Sequence, residues 1–178
     1  MTDLQKKYHT EVIPAMRAKF GYKNIMAVPR ISKVVVNVGA GRKREGAERA
    51  EIEKYLALIT GQKSSPRRAK KAIAAFQTRI GIVIGYQVTV HGRRMYDFLS
   101  RLVSIALPRT RDFRGVAETS VDRAGNLTIG IREHIVFPEM IGEDYHALFG
   151  MEVTVVTSGI KREEGVALFK LMGFPIAS

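Results

Sequence analysis

Residues 80–92 read IGIVIGYQVTVHG, and the order of large and small side chains along them decides the fold. Successive side chains of a β-strand point to opposite faces, so the stretch divides in two. Ile82, Ile84, Tyr86, Val88 and Val90 fall on one face, and Gly81, Val83, Gly85, Gln87 and Thr89 on the other. The first set is bulky and apolar and needs a packed cover. The second is mostly small or polar and does not. Residues 33–41, KVVVNVGAG, repeat the asymmetry, with Val34, Val36 and Val38 opposing Lys33, Val35, Asn37 and Gly39. Two strands of this kind predict a sheet covered on one side only, as antiparallel sheets commonly are.

Helical segments supply the cover. Residues 4–20 read as an amphipathic helix with a bend at Pro14, followed by the connector GYKNIMAVPRI. Residues 47–61, AERAEIEKYLALITG, set Ile52, Leu56 and Ile59 at helical spacing and close on Gly61. Residues 93–108, RRMYDFLSRLVSIALP, are expected to end at Pro108 with Tyr96, Leu99, Val103 and Leu107 as their inner stripe. EEGVALFKLMGF, at 163–174, is a closing helix, and VAETSVD, LTIGIRE and MEVTVVT are shorter strands. QKSSPRRAKKA, at 62–72, is polar and breaks the pattern. The expectation is an α+β fold: a largely antiparallel β-sheet with helices packed on one face and an extended basic loop, in a single domain 1–178.

Composition narrows the function. At 46% apolar residues the chain is expected to fold. It has no apolar run near the ~20 residues of a membrane span, and its first residues lack the basic-then-apolar order of a signal peptide, so a soluble intracellular protein is expected. The absence of cysteine excludes disulfides, thiolate catalysis and Cys-ligated metals. A net charge of +12 points to a polyanionic partner. Residues 1–89 hold 18 Lys and Arg against 6 Asp and Glu, while residues 90–178 hold 11 of each, so the whole excess lies in the first half. From Lys54 to Tyr96 nine cations occur without one acid, which predicts that they do not pair internally.

Catalysis finds no constellation. VNVGAGRKREGAE, at 36–48, sets Gly39, Gly41 and Gly46 between a strand and a helix, where phosphate loops occur, but Arg44 replaces the third glycine of a dinucleotide fingerprint, and Ala47 and Glu48 replace the Lys and Ser/Thr of a P-loop. A glycine-rich turn with a cationic tip is the better reading. His9, His91, His134 and His146 are scattered, with no ligand spacing, and read as surface or half-buried side chains. Glu143 and Asp144 of GEDYH are adjacent and splay apart, and Ser120 lacks the glycines of a nucleophile elbow. The chain is expected to be no enzyme, with no cofactor, no metal and no small-molecule substrate.

Nucleic-acid binding needs cations for phosphates, a surface that a backbone can approach, and polar groups for base edges and 2′-hydroxyls. Lys33, Asn37, Gln87 and Thr89 would lie on the open sheet face, with Gly39, Gly81 and Gly85 keeping that face low. The aromatic strand signature of an RNA-recognition motif is absent, so the surface would read shape and backbone. An RNA chaperone or regulatory RNA binder is one protein that such a surface would suit. A membrane-surface protein would need bulky apolar residues opposite its cations, and the acid-free segment offers little beyond Phe76.

Six segments in order, KVVVNVGAG, LITGQK, AKKAIAAFQTRIG, MYDFLSRLVSIALPRTRDFRG, GNLTIGIREHIVFPE and GMEVTVVT, with GFP near the end, resemble the universal large-subunit ribosomal protein five family in its bacterial form. The resemblance covers nearly the whole chain. It implies a structural protein of the central protuberance, bound to 5S rRNA and large-subunit rRNA, located on the cytoplasmic ribosome. Lys33, Asn37, Gln62, Lys63 and Thr89 match the family's 5S rRNA surface. Arg67, Arg68, Lys70, Lys71, Ile73, Phe76 and Arg79 match a basic loop that reaches P-site tRNA, with Ile73, Phe76 and Ile80 as its apolar spine. Arg109, Arg111, Arg114, Glu139, Glu143 and Asp144 match the surface that meets a small-subunit head ribosomal protein. The chain departs from the family pattern at Ser65, Pro66 and Arg67, where Pro, Val and then Thr are more usual before AKK.

Overall fold

The computed structural model describes residues 3–41, 46–76, 78–111, 113–146, 148–159 and 161–177. Five strands form one antiparallel sheet in the order β2-β3-β1-β6-β5: β1 is Ile31–Gly39, β2 Ser65–Arg68, β3 Val83–Val90, β5 Leu127–Ile131 and β6 Met151–Thr157. β4, Val116–Ala117, stands apart and pairs in parallel with β7, Ile176–Ala177. VAETSVD therefore yields only two strand residues, and the chain then turns tightly through Glu118–Ser120.

The alternation holds along β1. Val34, Val36 and Val38 are buried in the core, whereas Lys33, Val35 and Asn37 are half-buried on the other face. Helix Gly46–Thr60 lays Ile52, Leu56 and Ile59 against the covered face and stops at Gly61, whose φ of 68° is open to glycine at little cost. The closing helix Arg162–Met172 buries Leu168, Phe169 and Met172 in the same core. Its close approach requires Gly165, because a Cβ there would lie 2.6 Å from the Gly125 carbonyl oxygen.

Both helix prolines lie inside their helices, each behind a π turn. The N-terminal helix runs through Pro14, passing from α over Asp3–Lys7 to a π turn over Tyr8–Val12 and back to α over Ile13–Phe20. The helix that begins at Gly92 does the same, with a π turn at Leu102–Ala106 and a last α turn at Leu107–Arg109 containing Pro108. Each π turn ends two residues before a proline. A proline ring clashes with the carbonyl four residues earlier, and the wider turn makes room for it, so the first helix runs on to Phe20 while the second ends at Arg109, one residue past Pro108 as expected. The inner stripe of the second helix also rotates from the expected one: Met95, Phe98, Leu99, Leu102, Ala106 and Leu107 are buried, and Tyr96 and Val103 are only half-buried.

Two further corrections concern β3 and its neighbour. QKSSPRRAKKA is no simple break, since Ser65–Arg68 pairs with β3 as the edge strand, the position in a sheet that tolerates Pro66. The β3 alternation is right about direction, but Ile82 and Ile84 remain exposed while Tyr86, Val88 and Val90 are buried, because the first turns of helix Gly46–Thr60 stand across a cavity from those two isoleucines rather than against them. Gly85 does not lower the open face. It is buried opposite Gly39, and a Cβ there would lie 2.6 Å from the Val38 carbonyl oxygen. Gly81 lies in the turn before β3.

The Gly85 contact generates a test. Gly85→Ala forces β1 and β3 apart at a backbone contact and should cost on the order of 1–3 kcal/mol, as overpacking does. Gly39→Ala, which meets nothing within 4 Å, should cost far less. Urea unfolding of both variants would measure the difference.

Candidate nucleic-acid interface

The open face of the sheet is built in rows. Ser65, Gln87, Asn37, Glu152 and Gly130 lie in register across all five strands, and Thr89, Val35, Thr154 and Thr128 form the next row. Lys33 sits beyond them, opposite Val156. The Thr128 and Thr154 hydroxyls are 3.4 Å apart. Amides, hydroxyls and small residues, with Val35 and one exposed carboxylate, Glu152, among them, thus give a low and mostly polar surface with one lysine at its rim. Glu152, Thr154 and Thr128 were not singled out from the sequence, although MEVTVVT and LTIGI alternate as plainly as β1 does.

Gln62 and Lys63 follow the end of helix Gly46–Thr60 and lie beside β3. The Gln62 side-chain amide donates to the Thr89 carbonyl at 3.2 Å, tying the helix end to β3, and Lys63 beside it is exposed. That helix end is also met by cations: Arg94 donates to the Gly61 carbonyl at 3.4 Å and Arg101 to the Ile59 carbonyl at 3.0 Å. Both satisfy carbonyls that a helix terminus leaves unbonded and complement its negative dipole end.

The basic segment is a hairpin arm rather than a loop. Beyond β2 the ladder continues, with the Ala69 N–H donating to the Ile82 carbonyl at 2.8 Å and the Gly81 N–H to the Ala69 carbonyl at 3.0 Å. Its tip is closed by an exchange between Ile73 and Thr78 around the turn Ala74–Phe76. Arg67, Arg68, Lys70, Lys71 and Arg79 are all exposed, and none makes an ion pair among the described residues. The glycine-rich turn with its cationic tip lies, at residues 42–45, outside the described residues.

The acidic stretch is used differently from what the sequence suggested. Lys54 of the acid-free run does pair internally, with Glu143 at 2.8 Å. The hydrogen bond to Glu143 is the chief reason that the Lys54 ammonium is held above its ordinary pKa. Glu139 is paired with Arg101, and the Tyr55 hydroxyl donates to the Asp144 carbonyl at 2.5 Å. Burial, with Glu51 beside it, keeps the Tyr55 phenol above its usual pKa and so protonated as a donor. His134 is not a surface residue: it is fully buried, stacked on Phe149 with centroids 4.0 Å apart and on Tyr55 at 5.5 Å. Arg111 and Arg114, and Arg109 and Arg111, line two clefts beside β5 together with Arg132, and Glu139 and Glu143 are bonded instead to Arg101 and Lys54.

Among the described residues no group of three or more acidic or histidine side chains could hold a metal, and no helix is long and apolar enough to cross a membrane. A family description, ribosomal protein L5, matches residues 24–79, and a second, for the C-terminus of the same ribosomal family, matches residues 83–176. The large ribosomal subunit protein uL5 of Halothermothrix orenii is 49% identical over 176 residues, 98% of each chain. The chain belongs to the ribosomal protein L5 family. The uL5 proteins of Chloroflexus aurantiacus, 49% identical over 173 residues, and of Streptococcus thermophilus, 47% identical over 177, are similar along nearly the full length as well. The resemblance read from six segments is therefore borne out, and with it a structural ribosomal protein of the large subunit, found on the cytoplasmic ribosome and not an enzyme. The sheet draws β1 and β2 from the first family segment and β3, β5 and β6 from the second.

The two acid–base contacts differ in burial and should differ in weight. Glu139→Gln leaves the half-buried Arg101 guanidinium without its carboxylate and should cost on the order of 1–3 kcal/mol. Glu143→Gln breaks a pair whose lysine is largely exposed and should cost clearly less than the loss of Glu139. Thermal unfolding of each variant tests the order.

Proposed function

We propose that this L5-family chain binds 5S rRNA through the open sheet face and the Gln62–Lys63 corner, and touches large-subunit rRNA beside it. The observation that carries the reading is the polar row surface itself: Asn37, Gln87 and Thr89 lie in adjacent register positions, with Gln62 bonded to the Thr89 carbonyl and Lys33 at the rim. Lys33 and Lys63 would neutralise phosphates, and Asn37, Gln62 and Thr89 would bond sugar or base edges. Residues 1–178 would act as one domain, since strands from both family segments share the binding surface.

The hairpin arm, with Arg67, Arg68, Lys70, Lys71 and Arg79 around Ile73 and Phe76, would reach P-site tRNA. Its exposed, unpaired cations support this role. The contact to the small-subunit head would rest on Arg109, Arg111 and Arg114 together with Asp144, whose side chain makes no ion pair among the described residues. Glu139 and Glu143 would act by holding the acidic stretch in place.

Filter binding of 5S RNA at several salt concentrations tests the sheet face. Lys33→Ala should flatten the log–log salt slope by about one unit or slightly less, whereas Asn37→Ala and Thr89→Ala should weaken binding by roughly 1–3 kcal/mol at unchanged slope. Parent-like behaviour of all three would place the RNA elsewhere. For the arm, replacing Arg67, Arg68, Lys70 and Lys71 by Ala should leave Tm nearly unchanged, since exposed substitutions each stay within about 0.5 kcal/mol. The same protein, assembled into ribosomes, should hold P-site tRNA less well, and unaltered tRNA retention would refute the arm's role.

A further inference from the structure

Phosphate contacts account for the cations of the arm but not for its apolar side chains. Ile73, Phe76, Ile80, Ile82 and Ile84 are all exposed, Phe76 by 60% and Ile80 by 72%. Apolar exposure concentrated in one short segment marks a binding surface. Ile73, Phe76, Ile82 and Ile84 line a cavity of about 730 Å³ between the arm and the first turns of helix Gly46–Thr60. The charged part of its lining is Arg49, Lys70 and Lys71, with no acid among the described residues that line it. The Arg49 Nε–H is buried and has no acceptor among the described residues.

An apolar slot with an aromatic wall, cations at its rim and an unused guanidinium donor fits a flat π-system that carries negative charge. An unstacked nucleotide has that chemistry: its base packs on aromatic and apolar side chains, and its phosphates take the cations. The cavity lies within the roughly 300–1,000 Å³ of small-molecule sites, so a base and its sugar can enter. Continuity with the arm supplies the source, because the same lysines belong to the segment that would meet RNA. We infer that this cavity receives one unstacked nucleobase from a single-stranded stretch of the RNA met by the arm, with the flanking phosphates on Arg49, Lys70 and Lys71. The inference rests on the RNA-binding reading above and adds a base-inserting slot to it.

The test uses the full chain and a hexa-adenylate RNA in which 2-aminopurine replaces one central adenine, beside a matched oligonucleotide that is abasic at that position. Binding should change the 2-aminopurine fluorescence, because the probe exchanges its stack on the neighbouring adenines for the protein's side chains. The abasic RNA should bind roughly tenfold more weakly, as loss of one base–aromatic stack implies. Phe76→Leu, which keeps an apolar side chain but removes the ring, should lose affinity to a similar extent at an unchanged salt slope. Lys70→Ala and Lys71→Ala should each flatten that slope by up to about one unit. Equal affinity for the intact and abasic RNAs, or unchanged 2-aminopurine fluorescence, would overturn the slot. So would tighter binding of an acidic peptide carrying one Phe, which would mark a protein-docking surface. Filter binding of 5S RNA by the same preparation separates the two readings: if it is normal while base insertion fails, the slot alone is wrong.

Discussion

β1 hydrogen-bonds along both of its edges, to β3 on one side and to β6 on the other, and the rest of the structure hangs from that double pairing. Val34, Val36 and Val38 point into the core from the centre of the sheet, and the helices are arranged around them. Because side chains alternate, the same pairing turns Lys33, Val35 and Asn37 outward together with the matched residues of β3 and β6. A one-residue slip at β1 would exchange the two faces, burying a lysine and an asparagine and exposing three valines. The close approach of Gly85 to the Val38 carbonyl fits one register of β1 against β3.

The helical cover is narrower than the sheet, and both candidate binding regions arise from that difference. The helices gather on the valine side, which leaves the polar rows of the other side accessible. On the covered side the first turns of helix Gly46–Thr60 stand across a cavity from Ile82 and Ile84 rather than against them, so these two side chains stay exposed. The acidic stretch is held to the helices by Glu139 on Arg101 and Glu143 on Lys54, while His134 and Tyr55 stack beneath it. Those contacts use up acids that the sequence presents as free.

Legibility in the sequence followed the range of the interactions. β1, β6 and helix Gly46–Thr60 were readable because period and capping are local signals: three alternating valines, a Gly61 that ends a helix. β2 was not readable, since a proline-containing polar stretch becomes a strand only when β3 offers its edge. Alternation told which way Ile84 points but not that a cavity separates it from the helix. The Lys54–Glu143 pair joins residues 89 apart in sequence, and nothing local announces it. The π turns were not read from the sequence, because a widened turn ahead of a proline leaves no local signal beyond the proline itself. At the candidate interface, Lys33, Asn37 and Thr89 followed from alternation, and Gln62 and Lys63 came only from family likeness. Thr128, Thr154 and Glu152 follow from strand pairing, which the sequence does not display.

The pairing of β1 with β6 also bears on how the chain can fold as it is made. Ser32 donates its hydroxyl to the Val156 carbonyl, 124 residues later. The central strand therefore lacks one of its two neighbours until synthesis has passed Thr157, and contacts of such sequence separation form slowly. During that interval the strongly cationic first half is present as a nascent chain without a completed core. Its surplus positive charge then keeps the incomplete molecules apart by mutual repulsion, and it gives any nearby polyanion an early hold on a protein that is still unfinished.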